Sequence, residues 1–313
     1  MITLADIDAA RARIAPYVRA TPIVAMNPSR LRLKAENLQP IGAFKLRGAF
    51  NALLSLTPEV RAKGVIAHSS GNHAQAVAYA AARLGVSATI VMPGDAPAPK
   101  RAGVIREGAE IVPVGASGNE RAKVARELAA ERDLALIEPF DMDPIMAGTG
   151  TIGLEILEQA DGVKTVFCPV SGGGLLGGLA AAIKLSGADV RVIGVEPELA
   201  NDAYQSFRAG RVVSIGADLA VRTICDGLRV QQLGARTWPH IHAFVDDIVT
   251  VSEAEIRAAM RAIAGEARLI AEPSGAASVA GALASGADLG ASVAVVSGGN
   301  VDPAFYAEVL AEA

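Results

Sequence analysis

Two cysteines, one tryptophan and 4% aromatic residues leave this 313-residue chain short of several common structural devices. Cys168 and Cys225 lack the CxxC spacing of a zinc or dithiol site, so neither a metal-stapled nor a redox-active fold is expected, and both thiols are expected to stay reduced in a cytosol. Basic charge is not in excess either. The net charge is −4, which recommends neither nucleic acid nor an anionic membrane as a partner. Charges or Gly/Pro clusters interrupt every apolar run before about 18 residues, so no membrane span is expected. The opening Met1-Ile-Thr-Leu-Ala-Asp6 lacks the basic and apolar blocks of a secretory leader, which makes the cytoplasm the expected location. Lysine is scarce as well, with seven residues among 29 basic ones.

What is present is apolar and glycine-rich: 51% hydrophobic residues and 32 glycines. Disorder is excluded at that composition, and the length suits two domains or one large α/β unit. Short β-branched runs at 64–67, 88–91, 111–114, 165–168, 190–195 and 292–296 alternate with Ala-rich stretches at 74–84, 119–131, 175–185 and 253–267. The alternation predicts parallel sheets covered on both faces by helices. In such sheets ligands bind beyond the carboxyl ends of strands, so the loops there are where chemistry is sought.

Five loops answer that description. Ser171-Gly-Gly-Gly-Leu-Leu-Gly-Gly178 lies between a strand and a helix, where close backbone N–H groups and the helix N-terminus suit a phosphate; a plain tight turn is the alternative. It has no Gly-Lys-Ser/Thr of a P-loop, and the GxGxxG that a nicotinamide dehydrogenase carries after its first strand, with an acid about 20 residues on, is missing from that usual place. Lys45, in Pro40-Ile-Gly-Ala-Phe-Lys-Leu-Arg-Gly48, has apolar neighbours; burial there would make it a Schiff-base nucleophile, against the alternative of a surface lysine. His68-Ser-Ser-Gly-Asn-His73 suits a carboxylate at a helix start, or is an ordinary cap. Val296-Ser-Gly-Gly-Asn300 closes another strand. Glu196-Pro-Glu-Leu-Ala-Asn-Asp202 sets two acids six apart around a free carbonyl, a candidate hard-cation site or merely solvated loop acids.

Taken together, Leu33-Lys-Ala-Glu-Asn-Leu-Gln-Pro-Ile-Gly-Ala-Phe-Lys-Leu-Arg-Gly-Ala49, Ser69-Ser-Gly-Asn-His-Ala-Gln75, the glycine loop, Glu196-Pro197, Asp226-Gly227, Glu272-Pro273 and Ser297-Gly-Gly-Asn-Val-Asp302 resemble the fold-type II pyridoxal-phosphate enzymes. Within them the resemblance is to the serine/threonine dehydratase and serine racemase branch. It implies an α/β, tryptophan synthase β-like fold of two domains, each with a mainly parallel open sheet flanked by helices. Residues 1–54 and 143–313 would form the large domain, and 64–141 a mobile small one.

The resemblance also implies roles. Lys45 would form the Schiff base with pyridoxal phosphate, beside Phe44. Asn72 would bond the phenolic oxygen, Gly172, Gly173 and Gly174 the phosphate, Gly227 would border the ring, and Ser297 would face the pyridine nitrogen. Ser70 would be a second acid/base, while Ser69 and His73 would hold the substrate carboxylate. Arg121, in Ser117-Gly-Asn-Glu-Arg121, would stand near the distal end of the substrate. Glu196, the Ala200 carbonyl and Asp202 would bind a divalent cation, Mg2+ or else Mn2+ or Ca2+.

The implied reaction is α,β-elimination from a small L-β-hydroxy amino acid of the threonine/serine type, giving a 2-keto acid and ammonia. A neutral Ser297 leaves the ring a weaker electron sink than an aspartate partner would, which favours prompt elimination. The alternatives are a 3-hydroxyaspartate dehydratase, for which Arg121 would hold the second carboxylate, and a serine racemase with dehydratase side activity. Val230, Gln231 and Gln232 depart from the racemase-like pattern. The cysteine-forming β-replacement enzymes have a different lysine neighbourhood, and a non-catalytic amino-acid sensor would not need Lys45, Ser70 and Ser297 together. By the resemblance, no regulatory domain of the isoleucine-sensitive biosynthetic kind is expected after Asp302. A homodimer or dimer of dimers is implied.

Overall fold

The computed structural model describes residues 1–312 except 70, 95, 97, 116 and 117. Its strands are β1 (Ile23–Ala25), β2 (Arg32–Ala35), β3 (Val65–His68), β4 (Ala88–Pro93), β5 (Glu110–Val114), β6 (Ala135–Leu136), β7 (Thr165–Pro169), β8 (Arg191–Pro197), β9 (Asp247–Val251) and β10 (Ser292–Val296). They make a six-stranded sheet ordered β1-β2-β10-β7-β8-β9 and a four-stranded sheet ordered β5-β4-β3-β6. Only the β1–β2 pair is antiparallel. The expected α/β architecture of two mainly parallel sheets flanked by helices is therefore what the chain adopts.

Five of the six expected strands are buried over most of their length, and continuous apolar runs betray such strands; β5, at a sheet edge, has no buried residue and shows only in its β-branched run. β4 and β10, for example, are buried at every residue. β1, β2, β6 and β9 are short or mixed in polarity and carry no comparable signal. β2 is placed by pairing with β10, Val293 opposite Arg32 and Val296 opposite Ala35, across most of the chain's length. The expected helix at 253–267 is α-helical only over Glu253–Ala262; Ile263–Ala267 widens into a π turn that ends at Arg268 with φ +60°. Gly265 lies in that turn, where a residue without a side chain weakens the α form.

Because β3, β7, β8 and β10 run parallel to their neighbours, the motif loops all leave the carboxyl ends of strands. The helices after them carry the site. Lys45–Ser55 and Gly174–Leu185 both pack on Asp143–Gln159, closely enough that a Cβ on Gly148 would sit 2.7 Å from the Arg47 carbonyl oxygen. One apolar core packs Leu33, Phe167, Val195 and Ala294 against Ile256, Met260 and Val279 on one side of the large sheet; another packs Val166, Val192 and Val295 against Ile152, Leu179 and Ile183 on the other. The small sheet has its own core around Val65, Val77 and Ile90.

A buried charge network locks the lysine helix to this frame. Arg47 donates to both oxygens of Glu36 and of Glu155, and Lys34 Nζ donates to Glu155 at 2.5 Å and to the Thr21 carbonyl at 2.6 Å. Two cations and two anions balance there with their hydrogen bonds satisfied, the condition under which buried charge is tolerated. Among the described residues no helix is long and apolar enough to cross a membrane.

Candidate active site

A cavity of about 860 Å³ gathers Phe44, Lys45, Ser69, Asn72, His73, Arg121, Gly172, Gly173, Gly174, Gly227 and Ser297. Glu196, Ala200 and Asp202 lie apart from it, and Ser70 falls outside the described residues.

Lys45 opens its helix, with the nitrogen 5.1 Å from the Phe44 ring centre, and donates to the Pro139 carbonyl at 2.8 Å. Burial lowers its pKa to about 8, since an ammonium loses hydration that one carbonyl does not replace. An amine so placed is a nucleophile and a base near neutrality.

Facing it, the glycine loop turns from β7 into Gly174–Leu185. Gly173 has φ +93°, and a Cβ there would lie 2.8 Å from Thr237 Oγ1; one on Gly172 would collide with the Phe140 ring. Only glycine fits either position, which brings bare N–H groups and a helix N-terminus to the cavity wall.

Distant loops close the third wall. Phe44 N–H donates to the Ser297 carbonyl at 3.0 Å and Gly299 N–H to the Gly42 carbonyl at 2.9 Å. Asn72 Nδ2 donates to Glu272 at 2.6 Å, and its oxygen accepts from Asn300 Nδ2 at 2.8 Å. Gly227 N–H donates to Ser274 Oγ at 2.9 Å. Ser297, nearly buried, presents a neutral hydroxyl.

At the fourth wall Ser69 Oγ accepts from Gly71 N–H at 3.1 Å as Asn72–Leu84 begins. His73 Nε2 lies 2.9 Å from the Ile137 carbonyl. A carbonyl only accepts, so that nitrogen carries the proton. Burial, then the charge of Lys45, lowers the His73 pKa to about 3. The ring is thus neutral and its N–H committed elsewhere, which leaves Nδ1 as an acceptor only. Any donation from His73 to a substrate carboxylate must come from its backbone N–H, which a first helical turn leaves without an intrahelical partner. Above this loop His68 Nε2 meets Glu138 at 2.8 Å, and Arg121, half-buried, lines the outer cavity.

Glu196 is the penultimate residue of β8, and Asp202 begins Asp202–Ala209. Both are fully buried, and Glu196 Oε1 and both oxygens of Asp202 have no hydrogen-bond partner. Burial, then the charge of Asp202, holds the Glu196 carboxyl well above its usual range; burial raises Asp202 to about 7. Among the described residues no three His, Cys, Asp or Glu side chains form a metal set, so a cation here would need the Ala200 carbonyl and water besides the two acids.

The connection from β6 to Asp143–Gln159 carries no motif, and sequence reasoning missed it. Yet it supplies Glu138, Pro139, Phe140 and Asp141 to the cavity. Ser274 was missed likewise.

A lysine of lowered pKa in one cavity with a glycine-built loop is the arrangement that an enzyme working through a phosphorylated aldehyde would need. The family described as "Pyridoxal-phosphate dependent enzyme" matches residues 12–298, and the chain belongs to it. L-threo-3-hydroxyaspartate ammonia-lyase of Saccharomyces cerevisiae is 43% identical over 316 residues, 98% of this chain and 96% of the relative. Among solved structures, the threonine deaminase of T.th. superposes with a TM-score of 0.90 at 45% identity, covering 96% of this chain and 99% of that one. Maize serine racemase gives 0.92 at 38%, covering 98% and 96%. The residues fit the cofactor: glycines that no Cβ could replace would hold the phosphate, and Lys45 would hold the aldehyde carbon.

Proposed function

We propose that this enzyme is an ammonia-lyase that removes water from a small L-β-hydroxy amino acid, of the threonine/serine type, and yields a 2-keto acid and ammonia. The observation that carries this reading is the Lys45 amine, desolvated to a pKa of about 8 in one cavity with the glycine cradle and Ser297. When bound, pyridoxal phosphate supplies an electron sink for charge developing at the substrate α-carbon.

The chain's residues do the rest. Phe44 flanks the ring position, Asn72 offers its amide to the phenolic oxygen, and Gly227 borders the ring. Ser69 and the backbone N–H groups of the Asn72–Leu84 start hold the substrate carboxylate. Lys45 Nζ would take the substrate α-proton and return a proton to the β-hydroxyl, which leaves as water; tautomerisation and addition of water would then release keto acid and ammonia. Ser70 is assigned as the acid/base of the opposite face. A neutral Ser297 offers no counter-charge to a protonated ring nitrogen, which favours elimination over lingering proton exchange. Residues 64–141 form the mobile small domain, and its closure on the large domain, 1–54 and 143–313, would exclude water.

A second reading is favoured by Arg121 on the cavity wall and by the hydroxyaspartate relative: the substrate is 3-hydroxyaspartate, with its second carboxylate on that guanidinium. We also assign Glu196, Asp202 and the Ala200 carbonyl to a divalent cation, since three buried carboxylate oxygens otherwise lack partners.

The test is product analysis with serine, threonine and both 3-hydroxyaspartate diastereomers. Keto acid and ammonia in equal amounts support the lyase; inverted amino acid alone points to a racemase. The purified protein should be yellow, and Lys45→Ala colourless.

A further inference from the structure

We propose that Asp141 is a positioning residue for the phosphate end of the cofactor, acting through the peptide that joins Gly172 to Gly173. This rests on pyridoxal phosphate being the cofactor and assigns to a residue outside the glycine loop part of that loop's function.

Asp141 leaves the small sheet's last strand just before Asp143–Gln159, so it sits where the chain crosses between the two sheets. Its carboxylate accepts three successive backbone N–H groups: Ala235 at 3.1 Å, Arg236 at 2.7 Å and Thr237 at 3.2 Å. Thr237 opens the helix Thr237–Phe244 and Ala235 and Arg236 lead into it; the N-cap residue, Arg236, provides no side-chain cap of its own. A helix start left so would have unsatisfied N–H groups; here a carboxylate nearly a hundred residues away in sequence provides the cap and complements the helix dipole.

The capped segment in turn grips the cradle. Thr237 Oγ1 donates to the Gly172 carbonyl at 2.6 Å, and Gly234 N–H donates to the same oxygen at 3.2 Å. A trans peptide is planar, with its C=O and N–H pointing in opposite directions. Two donors on the Gly172 oxygen therefore fix the Gly173 N–H on the side away from Thr237. Gly173 is also the residue whose φ of +93° gives the loop its reversal, and without a side chain it has little else to hold that orientation. Asp141, residues 234–237 and the Gly172 carbonyl form one chain of hydrogen bonds that ends on a phosphate donor.

The consequence is selective. Loss of the Asp141 cap should loosen the grip on phosphate and leave the aldehyde and ring contacts intact. The experiment compares retention of pyridoxal phosphate with binding of pyridoxal, which lacks the phosphate, in wild type, Asp141→Ala and Asp141→Asn. Absorbance of the lysine-linked chromophore is followed as the holoprotein is dialysed and then offered either aldehyde. Asp141→Ala should hold pyridoxal phosphate on the order of tenfold more weakly, as the loss of charge-assisted hydrogen bonds implies, with pyridoxal affinity unchanged within about twofold. Asp141→Asn, which keeps one acceptor, should fall between. Thr237→Val should show the same selective loss and Thr237→Ser should reverse it, a comparison that stands even if Asp141→Ala does not fold. Equal losses for both aldehydes, or variants that retain pyridoxal phosphate as wild type does, would overturn the proposal. Wild-type protein that bound neither aldehyde would overturn the cofactor reading itself.

Discussion

Lys45 Nζ donates to the carbonyl oxygen of Pro139 across 2.8 Å, joining the first residue of a large-sheet helix to the connection that leaves the small sheet. A single carbonyl does not compensate an ammonium for lost water, and the amine pKa falls to about 8. Only the neutral amine attacks an aldehyde. Stripped protein should therefore take up pyridoxal phosphate about tenfold faster for each unit that pH rises toward 8, then level off. Stopped-flow absorbance across that range checks it. A plateau displaced to the ordinary lysine range near 10.5 would mean that Lys45 is solvated.

Arg121 separates the two substrate readings. If its guanidinium binds a second carboxylate, Arg121→Ala should lower kcat/KM for 3-hydroxyaspartate by ~100-fold, the scale of one desolvated charge pair. Threonine should change by less than about threefold, since uncharged methyl and hydroxyl groups lose no such pair. Equal effects on both substrates would remove Arg121 from specificity.

Chelation tests the buried acids. Two carboxylates with unpartnered oxygens destabilise a fold unless a cation neutralises them. A chelator should lower Tm by several degrees, and Mg2+, Mn2+ or Ca2+ should restore it through mass action. Asp202→Asn should be nearly indifferent to both treatments. Thermal melts that do not respond to chelator in the wild type would refute the site.

His73 links stability to pH. Its pKa is about 3 folded against 6.5 as a reference, so between those values the unfolded chain binds the additional proton. Stability is then greatest above about pH 6.5 and declines as pH falls toward 3, by a few kcal/mol in the limit. His73→Gln can still donate to the Ile137 carbonyl and cannot titrate. In cation-loaded protein it should show a shallower decline of urea midpoint with acidification than wild type.

The site was legible where chemistry is local. Glycines after β7, a lysine among apolar neighbours, and a small-residue turn after β3 each announce themselves within a few residues. Arg47 and Glu155 were not legible, for a charged residue in a helical stretch reads as solvent-facing unless its partner is known. Asp141 carried no signal either: it follows a two-residue strand, and its bonds lie more than ninety residues downstream.

By itself the amino-acid sequence picked out loops that come to line one cavity and apolar runs that become parallel strands, because turn geometry, helix starts and burial pattern are properties of short segments. Tertiary structure alone decided how those loops act. Tertiary packing desolvates Lys45, commits the His73 ring proton to Ile137, leaves Glu196 and Asp202 without partners, and sets Asp141 on the helix that grips Gly172. Each depends on burial and on pairing between distant residues, and neither is encoded at any one position.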